Sequence, residues 1–204
     1  MENKIIVDNC NKKNIYNGMK RFIDILMSLL GIIILSPVFF ITAILIKLES
    51  KGPIIFKQLR AGKDSDPFYI YKFRSMKIDA PNKSTNDFTD ASQFITKVGR
   101  FIRRTSIDEL PQLFNILKGD MSIVGPRPVI LKEKELIQLR KEYSIDLLLP
   151  GITGWAQING RDNICDEEKV KYDYEYLIKR SLMLDIYIIL MTALKVVKRS
   201  DIKS

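Results

Sequence analysis

The sequence predicts a mainly α-helical protein with one small β-hairpin (an α+β chain) whose N-terminal part enters a membrane as a helix-break-helix. Three patterns lead to this prediction: an apolar run over 22–46, two strand-like segments around a turn-rich connection, and apolar residues at helical spacing further along. At 204 residues the chain is most simply one unit with its own core. We divide it into an N-terminal tail (1–19), a re-entrant membrane helix (20–48) and a compact, membrane-associated cytoplasmic domain (49–204) with interfacial amphipathic helices.

The apolar run over 22–46 is long enough for a membrane helix. It reads FIDILMSLLGIIILSPVFFITAILI and carries a single charged residue, Asp24. At about 1.5 Å per residue a straight helix of this length would measure roughly 37 Å, against a hydrocarbon core of about 30 Å. The run is too long for a cleavable signal peptide, and no small-residue cleavage site follows it.

The charges around this run complicate a simple crossing. Lysines and arginines flank it on both sides, and the positive-inside rule places both ends on the cytoplasmic face. Near the midpoint, Pro37 lacks an amide proton and bends or breaks a helix, while the Ser36 hydroxyl can return to a carbonyl one turn back. Two structures are open at this point: a re-entrant helix that turns back at Ser36-Pro37, and an ordinary transmembrane helix with a proline kink.

A β-hairpin is predicted next along the chain. Its strands are IIFKQL (54–59) and FYIYKF (68–73), joined by the turn-rich AGKDSDP. The second strand ends near Lys72 and Arg74. The polar stretch over 80–90 is expected to be a mobile loop.

Three helices are predicted in the rest of the chain. Apolar residues recur at helical spacing from Phe94 to Ile102, opposite basic residues, so this amphipathic helix either lies on a membrane surface or packs on a core. The charged segment over 131–143 predicts a solvated helix. The apolar run over 182–197 contains two charged residues and is short for a membrane span, so we interpret it as a core or interfacial helix.

The composition excludes several classes of site. The formal net charge of +9 points to an anionic partner, which is nucleic acid, a phosphate-rich substrate or an anionic membrane face. The chain has no histidine, which excludes Ser-His-Asp and Cys-His nucleophilic systems and removes the usual zinc ligand. A metal would therefore be held by oxygen ligands, as Mg²⁺ is. The two cysteines are too few for a disulfide framework, and the P-loop and dinucleotide-binding glycine patterns are missing.

Two adjacent acids in the segment RRTSIDELPQLFN (103–115) are candidate site residues. Ser106 and Glu109 fit the S-x-x-E capping box, in which each side chain bonds an orphan amide, and Asp108 would then only favour the positive end of the helix dipole. The alternative is catalysis, because a helix start can also hold an anion in front of its amides. The local pattern by itself leaves both interpretations open.

Two further segments, GDMSIVGPRP (119–128) and PGITGWAQINGR (150–161), combine glycine, proline and arginine. Glycine permits close approach of the backbone, and arginine provides a planar fork that fits phosphate oxygens. Each segment alone is compatible with a structural turn. Both segments in a basic chain with a membrane segment indicate a phosphate-bearing substrate at a membrane surface.

These segments resemble those of the monotopic polyprenol-phosphate phosphoglycosyl transferases of the bacterial sugar-transferase family. The matching pieces, in the family's order, are KR-F-D (20–24), the Ser-Pro pair (36–37), KFRSM (72–76), R-x-x-S-x-DELPQL-x-N-x-L-x-GDMS-x-VGPRP (103–128) and PGITGWAQ-x-NGR (150–161). They cover most of the chain from residue 20 onward. Leu149 stands where the family often has arginine, which puts one phosphate or headgroup contact in question at that position.

The resemblance implies a reaction in two steps at the bacterial cytoplasmic (inner) membrane. Asp108 attacks the sugar-bearing phosphate of a UDP-sugar, UMP leaves, and a glycosyl-phosphoryl aspartate remains. The phosphate of a membrane polyprenol (undecaprenyl phosphate) then takes the phosphosugar, which is the first membrane step of surface glycan assembly. The implied partners are the UDP-sugar, polyprenol phosphate and membrane lipids, with no nucleic acid.

The resemblance also implies a set of site residues. Asp108 with Mg²⁺ forms the reacting centre and Glu109 is its partner, since adjacent helical side chains point about 100° apart and do not easily share one role. Contacts to the donor or its phosphates are expected from Lys72, Arg103, Arg127, Gln157, Asn159 and Arg161. Lys72 and Arg127 could instead tie chain segments together. The amides of Gln157 and Asn159 could merely close a turn.

Two other functions are compatible with parts of the sequence. A non-catalytic, membrane-anchored basic scaffold would explain the +9 charge but not the paired acids among Gly/Arg-rich segments. A transferase of the multi-spanning type should show many more apolar spans. A homo-oligomer is compatible with any of these functions.

Overall fold

The computed structural model of the chain describes residues 2–78, 80, 93–160 and 164–198. Helices and short strands follow one another as α1 (Glu2–Ile34), α2 (Ser36–Glu49), β1 (Ile55–Ala61), β2 (Pro67–Phe73), α3 (Lys97–Arg104), α4 (Gln112–Lys118), β3 (Ser122–Val124), α5 (Lys134–Glu142), β4 (Gly151–Thr153), α6 (Trp155–Asn159), α7 (Asp166–Lys179) and α8 (Leu182–Lys198). Short 3₁₀ turns cover Lys63–Ser65, Ile107–Glu109 and Ile145–Leu147. The prediction of a mainly helical chain with a small β-hairpin is confirmed. The predicted mobile loop over 80–90 lies outside the described residues, apart from residue 80.

Helices α1 and α2 meet at a bend of 61°. Pro37 lies in the first turn of α2 and has no amide to donate, and the Ser36 hydroxyl donates to the Ile33 carbonyl at 2.8 Å. The predicted break at Ser36-Pro37 is therefore confirmed. No described helix is alone long and apolar enough to cross a membrane, whereas the bent pair Ile15–Ile34 and Ser36–Glu49 has the length and composition to do so. Helix α1 starts at Glu2, so the predicted tail and the start of the membrane helix form one helix.

The β-hairpin is supported by an amide side chain on its open edge. Strands β1 and β2 pair antiparallel along their full length. On the far side of β2, the fully buried Asn115 of α4 accepts the Tyr71 N–H at 2.9 Å and donates to the Tyr69 carbonyl at 2.7 Å. One side chain thus satisfies backbone groups that another strand would otherwise pair.

The two Gly/Arg-rich segments, 119–128 and 150–161, contain a parallel strand pair. The sequence patterns predicted no strand in either segment. In this pair Ser122 lies opposite Gly151, and Val124 lies opposite Thr153. A side-chain carbon at Gly151 would collide with the backbone amide of Gly125. The glycines are needed because the two backbones touch, and a three-residue strand is too short to show the alternating pattern of a longer one.

Helices α6, α7 and α8 cover this strand pair. The buried apolar side chains they share with it are Val124, Leu148, Ile158, Tyr176 and Ile188. Helix α8 buries Ile188 completely but leaves Met183, Leu190 and Leu194 more than half exposed. The interpretation of 182–197 as a core or interfacial helix is confirmed for its buried face.

Two helix predictions need correction. The segment 131–143 is not simply solvated, because α5 buries Leu136 and also Arg140, which pairs with Asp173 of α7. Helix α3 starts only at Lys97, so Phe94 lies before the helix. In both cases a partner distant in sequence explains the difference. Arg140 pairs with Asp173, and the residues before α3 bond to the segment after β2, where the Lys77 N–H donates to the Phe94 carbonyl.

Helix α1 is fixed to the domain by its charged side chains. Asp24, 3% exposed, accepts the Ser122 hydroxyl at 2.7 Å and the Ile123 N–H at 3.1 Å. Arg21 donates to two carbonyls in the last turn of α4 at 2.6 and 3.0 Å. Lys20 pairs with Asp185 of α8 at 3.1 Å. Asp24, the single charged residue within the apolar run, therefore connects α1 to β3 through hydrogen bonds.

Helix α2 is fixed at its C-terminal end. Arg74, which follows β2 and is buried, donates to the Ser50 carbonyl at 2.7 Å and the Lys51 carbonyl at 2.9 Å. The Glu49 carboxylate accepts the Lys97 N–H at 2.6 Å and the Val98 N–H at 3.0 Å, which caps α3. The end of α2 is thus bonded both to the hairpin and to α3.

Replacing Asp24 by alanine should destabilise the fold by about 1–3 kcal/mol, because the Ile123 N–H would lose its acceptor and the Ser122 hydroxyl would keep only the Val124 carbonyl at 3.1 Å. Thermal unfolding of the detergent-solubilised variant measures the loss. Asp66→Ala, at an exposed position, is the matched control and should change stability by no more than about 0.5 kcal/mol. Equal melting temperatures for the Asp24 variant and the control would contradict the assigned role.

Candidate active site around Asp108 and Glu109

The predicted capping box of Ser106 and Glu109 is wrong. Ser106 has a left-handed backbone, with φ of 57°, and its side chain makes no capping bond. The 3₁₀ turn Ile107–Glu109 separates Ser106 from α4, which begins only at Gln112. The serine is therefore too far from the first amides of α4 to cap them, and the Glu109 side chain has other partners.

Glu109 connects three chain segments through one carboxylate oxygen. Its Oε1 accepts from Lys72 Nζ at 2.7 Å and from Arg127 Nη2 at 3.4 Å. Lys72 belongs to β2, and Arg127 belongs to the segment 119–128. The alternative in which Lys72 and Arg127 tie segments together is thus realised, and it brings both cations to the acid pair.

Asp108 is a buried carboxyl group with a perturbed pKa. Only 9% of the residue is exposed. Burial, which penalises the charged form, raises the pKa of Asp108 to about 6, and the neighbouring Glu109 carboxylate acts in the same direction. Lys72, Arg103 and Arg127 act against this rise and favour the ionised form. A carboxylate in this setting is ionised at neutral pH but poorly solvated, which suits a nucleophile.

The charges around the acid pair leave an excess of positive charge. Two carboxylates face three cations, Lys72, Arg103 and Arg127, all close enough to influence Asp108. Arg103 comes from the last turn of α3. Such an arrangement attracts an anion, and arginine forks suit phosphate oxygens.

Arg60 is a residue of this region that the sequence reasoning missed. Its guanidinium donates to the Gln58 side-chain oxygen at 2.7 Å and to the Pro128 carbonyl at 3.2 Å. Burial, and secondly the charge of Arg127, lowers the pKa of Arg60 to about 10. The alternation of side chains along the predicted strands could have identified Arg60. Phe56 lies opposite Lys72 in the antiparallel register, so Arg60, four residues further along β1, is on the same face of the hairpin as Lys72.

The donor set fits Mg²⁺ only together with a phosphate-bearing ligand. No cluster of three or more Asp, Glu, His or Cys side chains suited to a metal is found within the described parts of the chain. Glu109 already shares an oxygen with two cations, which leaves Asp108 as the carboxylate ligand. Mg²⁺ is commonly bound by one or two carboxylates, substrate phosphates and water, so Asp108 and a diphosphate would suffice.

The remaining predicted contacts lie on or beyond α6. Gln157 Nε2 donates to the Ile152 carbonyl at 2.9 Å, and Asn159 Nδ2 donates to the Trp155 carbonyl at 2.8 Å. Both side-chain amides therefore bond to backbone carbonyls of nearby residues, as in the alternative that they only close a turn. Arg161 lies outside the described residues. The donor-binding roles of these three residues remain predictions.

A small cleft lies between the hairpin connection and the turn Ile145–Leu147. Its lining includes Gly62, Pro126, Arg140 and Asp146, but neither Asp108 nor Glu109. Charged and buried groups converge instead at the acid pair, which is the candidate site.

Comparison with known proteins identifies the relatives of this chain. A family model described as bacterial sugar transferase matches residues 15–199. The chain is 44% identical to the UDP-glucose:undecaprenyl-phosphate glucose-1-phosphate transferase of Escherichia coli K12, over 87% of the chain and 40% of that protein. It is 41% identical to the UDP-N-acetylgalactosamine-undecaprenyl-phosphate N-acetylgalactosaminephosphotransferase of Aeromonas hydrophila, over 87% of the chain and 43% of that protein.

A third relative is similar in length. The uncharacterized sugar transferase EpsL of Bacillus subtilis is 40% identical, over 91% of the chain and 90% of that protein. By contrast, the chain spans only 40% and 43% of the length of the relatives from E. coli and A. hydrophila.

Replacing Lys72 by methionine should raise the pKa of Asp108 above about 6, because Lys72 is one of the cations that favour the ionised carboxylate. Carbon-13 NMR titration of labelled aspartate side chains measures the change. Lys118→Met serves as control, since Lys118 pairs with Asp120 and is not among the charges that act on Asp108. An unchanged or lower pKa of Asp108 in the Lys72 variant would contradict this electrostatic assignment.

Proposed function

The chain belongs to the bacterial sugar transferase family, and we propose that it transfers a sugar 1-phosphate from a UDP-sugar to polyprenol phosphate. The names of two relatives state this type of reaction with undecaprenyl phosphate as acceptor. The observation that carries the proposal is the buried Asp108 carboxyl beside Glu109, with three cations around it. A non-catalytic scaffold would need only surface charge and gives no reason to bury this acid.

In the first step, an Asp108 carboxylate oxygen attacks the phosphorus that bears the sugar. A new P–O bond forms to Asp108, the P–O bond to UMP breaks, and a glycosyl-phosphoryl aspartate remains. In the second step, a phosphate oxygen of the polyprenol attacks the same phosphorus and displaces the carboxylate. The product is a polyprenol-diphosphate-linked sugar, and Asp108 is regenerated.

The neighbouring charges have separate roles in this proposal. Glu109 is bonded to Lys72 and Arg127, so it orients the two cations rather than attacking the donor. Lys72, Arg103 and Arg127 offset the negative charge of the diphosphate as the anionic Asp108 approaches it. Asp108 is also the protein ligand proposed for Mg²⁺, which would neutralise phosphate oxygens when bound with the donor.

We further propose that α1 and α2 enter the inner membrane from the cytoplasmic side and return to it. Arms of about 30 and 21 Å that meet at this bend put the apex about 12 Å deep when both ends lie at one surface. This depth is less than half of a hydrocarbon core of about 30 Å. The basic residues on both flanks favour this arrangement over a crossing, and it keeps the catalytic domain on the cytoplasmic face.

Single cysteines at Asn17 and Lys51, introduced after removal of Cys10 and Cys165, test this topology. Both should react only with thiol reagents that enter the cytoplasm, because both ends of the bent pair lie on that side. Labelling is measured in intact and permeabilised cells. Reaction of either cysteine with an impermeant reagent in intact cells would establish a crossing helix.

Replacing Asp108 by asparagine should abolish the covalent intermediate and lower the rate by several powers of ten, since the attacking charge is lost while the shape is kept. Wild-type protein incubated with labelled UDP-sugar and Mg²⁺, without polyprenol phosphate, should carry phosphosugar on the peptide that contains Asp108. The variant should carry none and keep its melting temperature within a few degrees. Mass spectrometry of the digested protein provides the measurement.

The control for this experiment is Asp64→Asn. Asp64 is exposed in the hairpin connection with φ of 56°, a conformation that asparagine tolerates well, so this variant should form the adduct normally. Chelation of Mg²⁺ by EDTA should stop adduct formation in the wild type and the control alike. A folded Asp108 variant that still turns over at a near wild-type rate would overturn the nucleophile assignment.

A further inference from the structure

Two arginines, the buried Arg140 and the partly buried Arg60, hold the backbone next to Arg127. Arg140 Nη1 of α5 donates to the Arg127 carbonyl at 2.8 Å. Arg60 Nη1 of β1 donates to the next carbonyl, that of Pro128, at 3.2 Å. The peptide that carries Arg127 is therefore fixed by charged donors from two elements, while its guanidinium reaches Glu109.

Arg140 is in turn fixed by Asp173 of α7. Its Nη2 donates to the Asp173 carboxylate at 2.6 Å, and the two side chains are only 11% and 2% exposed. Two further charges interact with this pair: Lys169 of α7 acts on Asp173, and Glu133, which precedes α5, interacts with Arg140. A buried ion pair contributes little net stability compared with apolar residues of the same volume, but it fixes the direction of a guanidinium fork.

From these contacts we propose that the Arg140–Asp173 pair is a positioning unit for donor binding, which holds the Arg127 backbone so that the Arg127 guanidinium stays beside Glu109. The unit extends from α7 through α5 to the acid pair, over contacts of 2.6, 2.8 and 3.4 Å. It rests on the proposed function, because it assigns Arg127 to the phosphates of the UDP-sugar. Neither Arg140 nor Asp173 touches the donor, so both act only through Arg127.

Arg140→Lys separates positioning from folding. Lysine is shorter and has one nitrogen in place of a planar fork, so it can keep the ion pair with Asp173 but lose the bond to the Arg127 carbonyl. The matched control is the reverse exchange at the next residue, Lys141→Arg, which is exposed on the same helix. Both variants should melt within a few degrees of the wild type.

The first measurement does not depend on activity. Hydrogen exchange of the Arg127 and Val129 amides, followed by mass spectrometry, should be faster in Arg140→Lys than in the wild type and unchanged in Lys141→Arg. Unchanged exchange in Arg140→Lys would overturn the proposal, because the backbone would then be ordered without this bond. This outcome would leave the proposed function intact.

The second measurement is single-turnover adduct formation across a range of UDP-sugar concentrations. Arg140→Lys should raise the half-saturating donor concentration about tenfold, the effect expected for a lost bond to a charged group. In an Arg127→Met background the same substitution should have less than a twofold effect, since the guanidinium that the Arg140 bond positions is no longer present. Equal fold-changes in both backgrounds would show a general structural role and overturn the proposal. Failure of the wild type to form any adduct would overturn the proposed function, and hydrogen exchange would still decide whether Arg140 orders the segment.

Discussion

One carboxylate oxygen of Glu109 holds together the parts from which the site is built. It bonds Lys72 at the end of the hairpin and Arg127 in the segment 119–128, while the neighbouring Asp108 stays buried beside them. Without this oxygen, Lys72 and Arg127 would have only the Asp108 carboxylate as a counter-charge in a partly buried region. The two acids therefore have different surroundings: Glu109 balances the charge of Lys72 and Arg127, and Asp108 is the residue proposed for chemistry.

The setting of Asp108 is a compromise between two opposing effects. Burial removes water and raises its pKa, whereas Lys72, Arg103 and Arg127 stabilise the ionised form. If the cations were fewer, the pKa of the carboxyl group would be higher and less of the group would be ionised at neutral pH. If it were exposed, water would solvate its charge and weaken the proposed attack on a phosphate. The pKa near 6 leaves it ionised at neutral pH, in a region that accepts further negative charge.

The bent helix pair α1–α2 and the candidate site are connected by bonds at fixed points. Asp24 and Arg21 fix α1 to β3 and α4, and Arg74 and Glu49 fix the end of α2 to the hairpin and to α3. Lys72 lies two residues before Arg74, and Arg103 lies in the α3 helix that Glu49 caps. The position of the bent pair relative to the acid pair is therefore fixed, which in the proposed topology sets the distance between the acid pair and the lipid surface. Such a constraint matters to an enzyme whose proposed donor is soluble and whose proposed acceptor is a lipid.

Local patterns in the sequence determined the helix break, the hairpin and most of the helices. Pro37 cannot donate an amide bond and strand alternation has a period of two, whatever the rest of the chain does. The proposed role of Asp108 also came from the sequence, through its place in motifs that follow the family's order. Tertiary structure alone decided that Ser106 is no cap, that Arg140 is buried, that Asn115 completes the hairpin edge and that a short parallel pair joins the glycine-rich segments. Each of these outcomes depends on a partner distant in sequence, since hydrogen bonds and ion pairs form with whichever group the fold brings within about 3 Å.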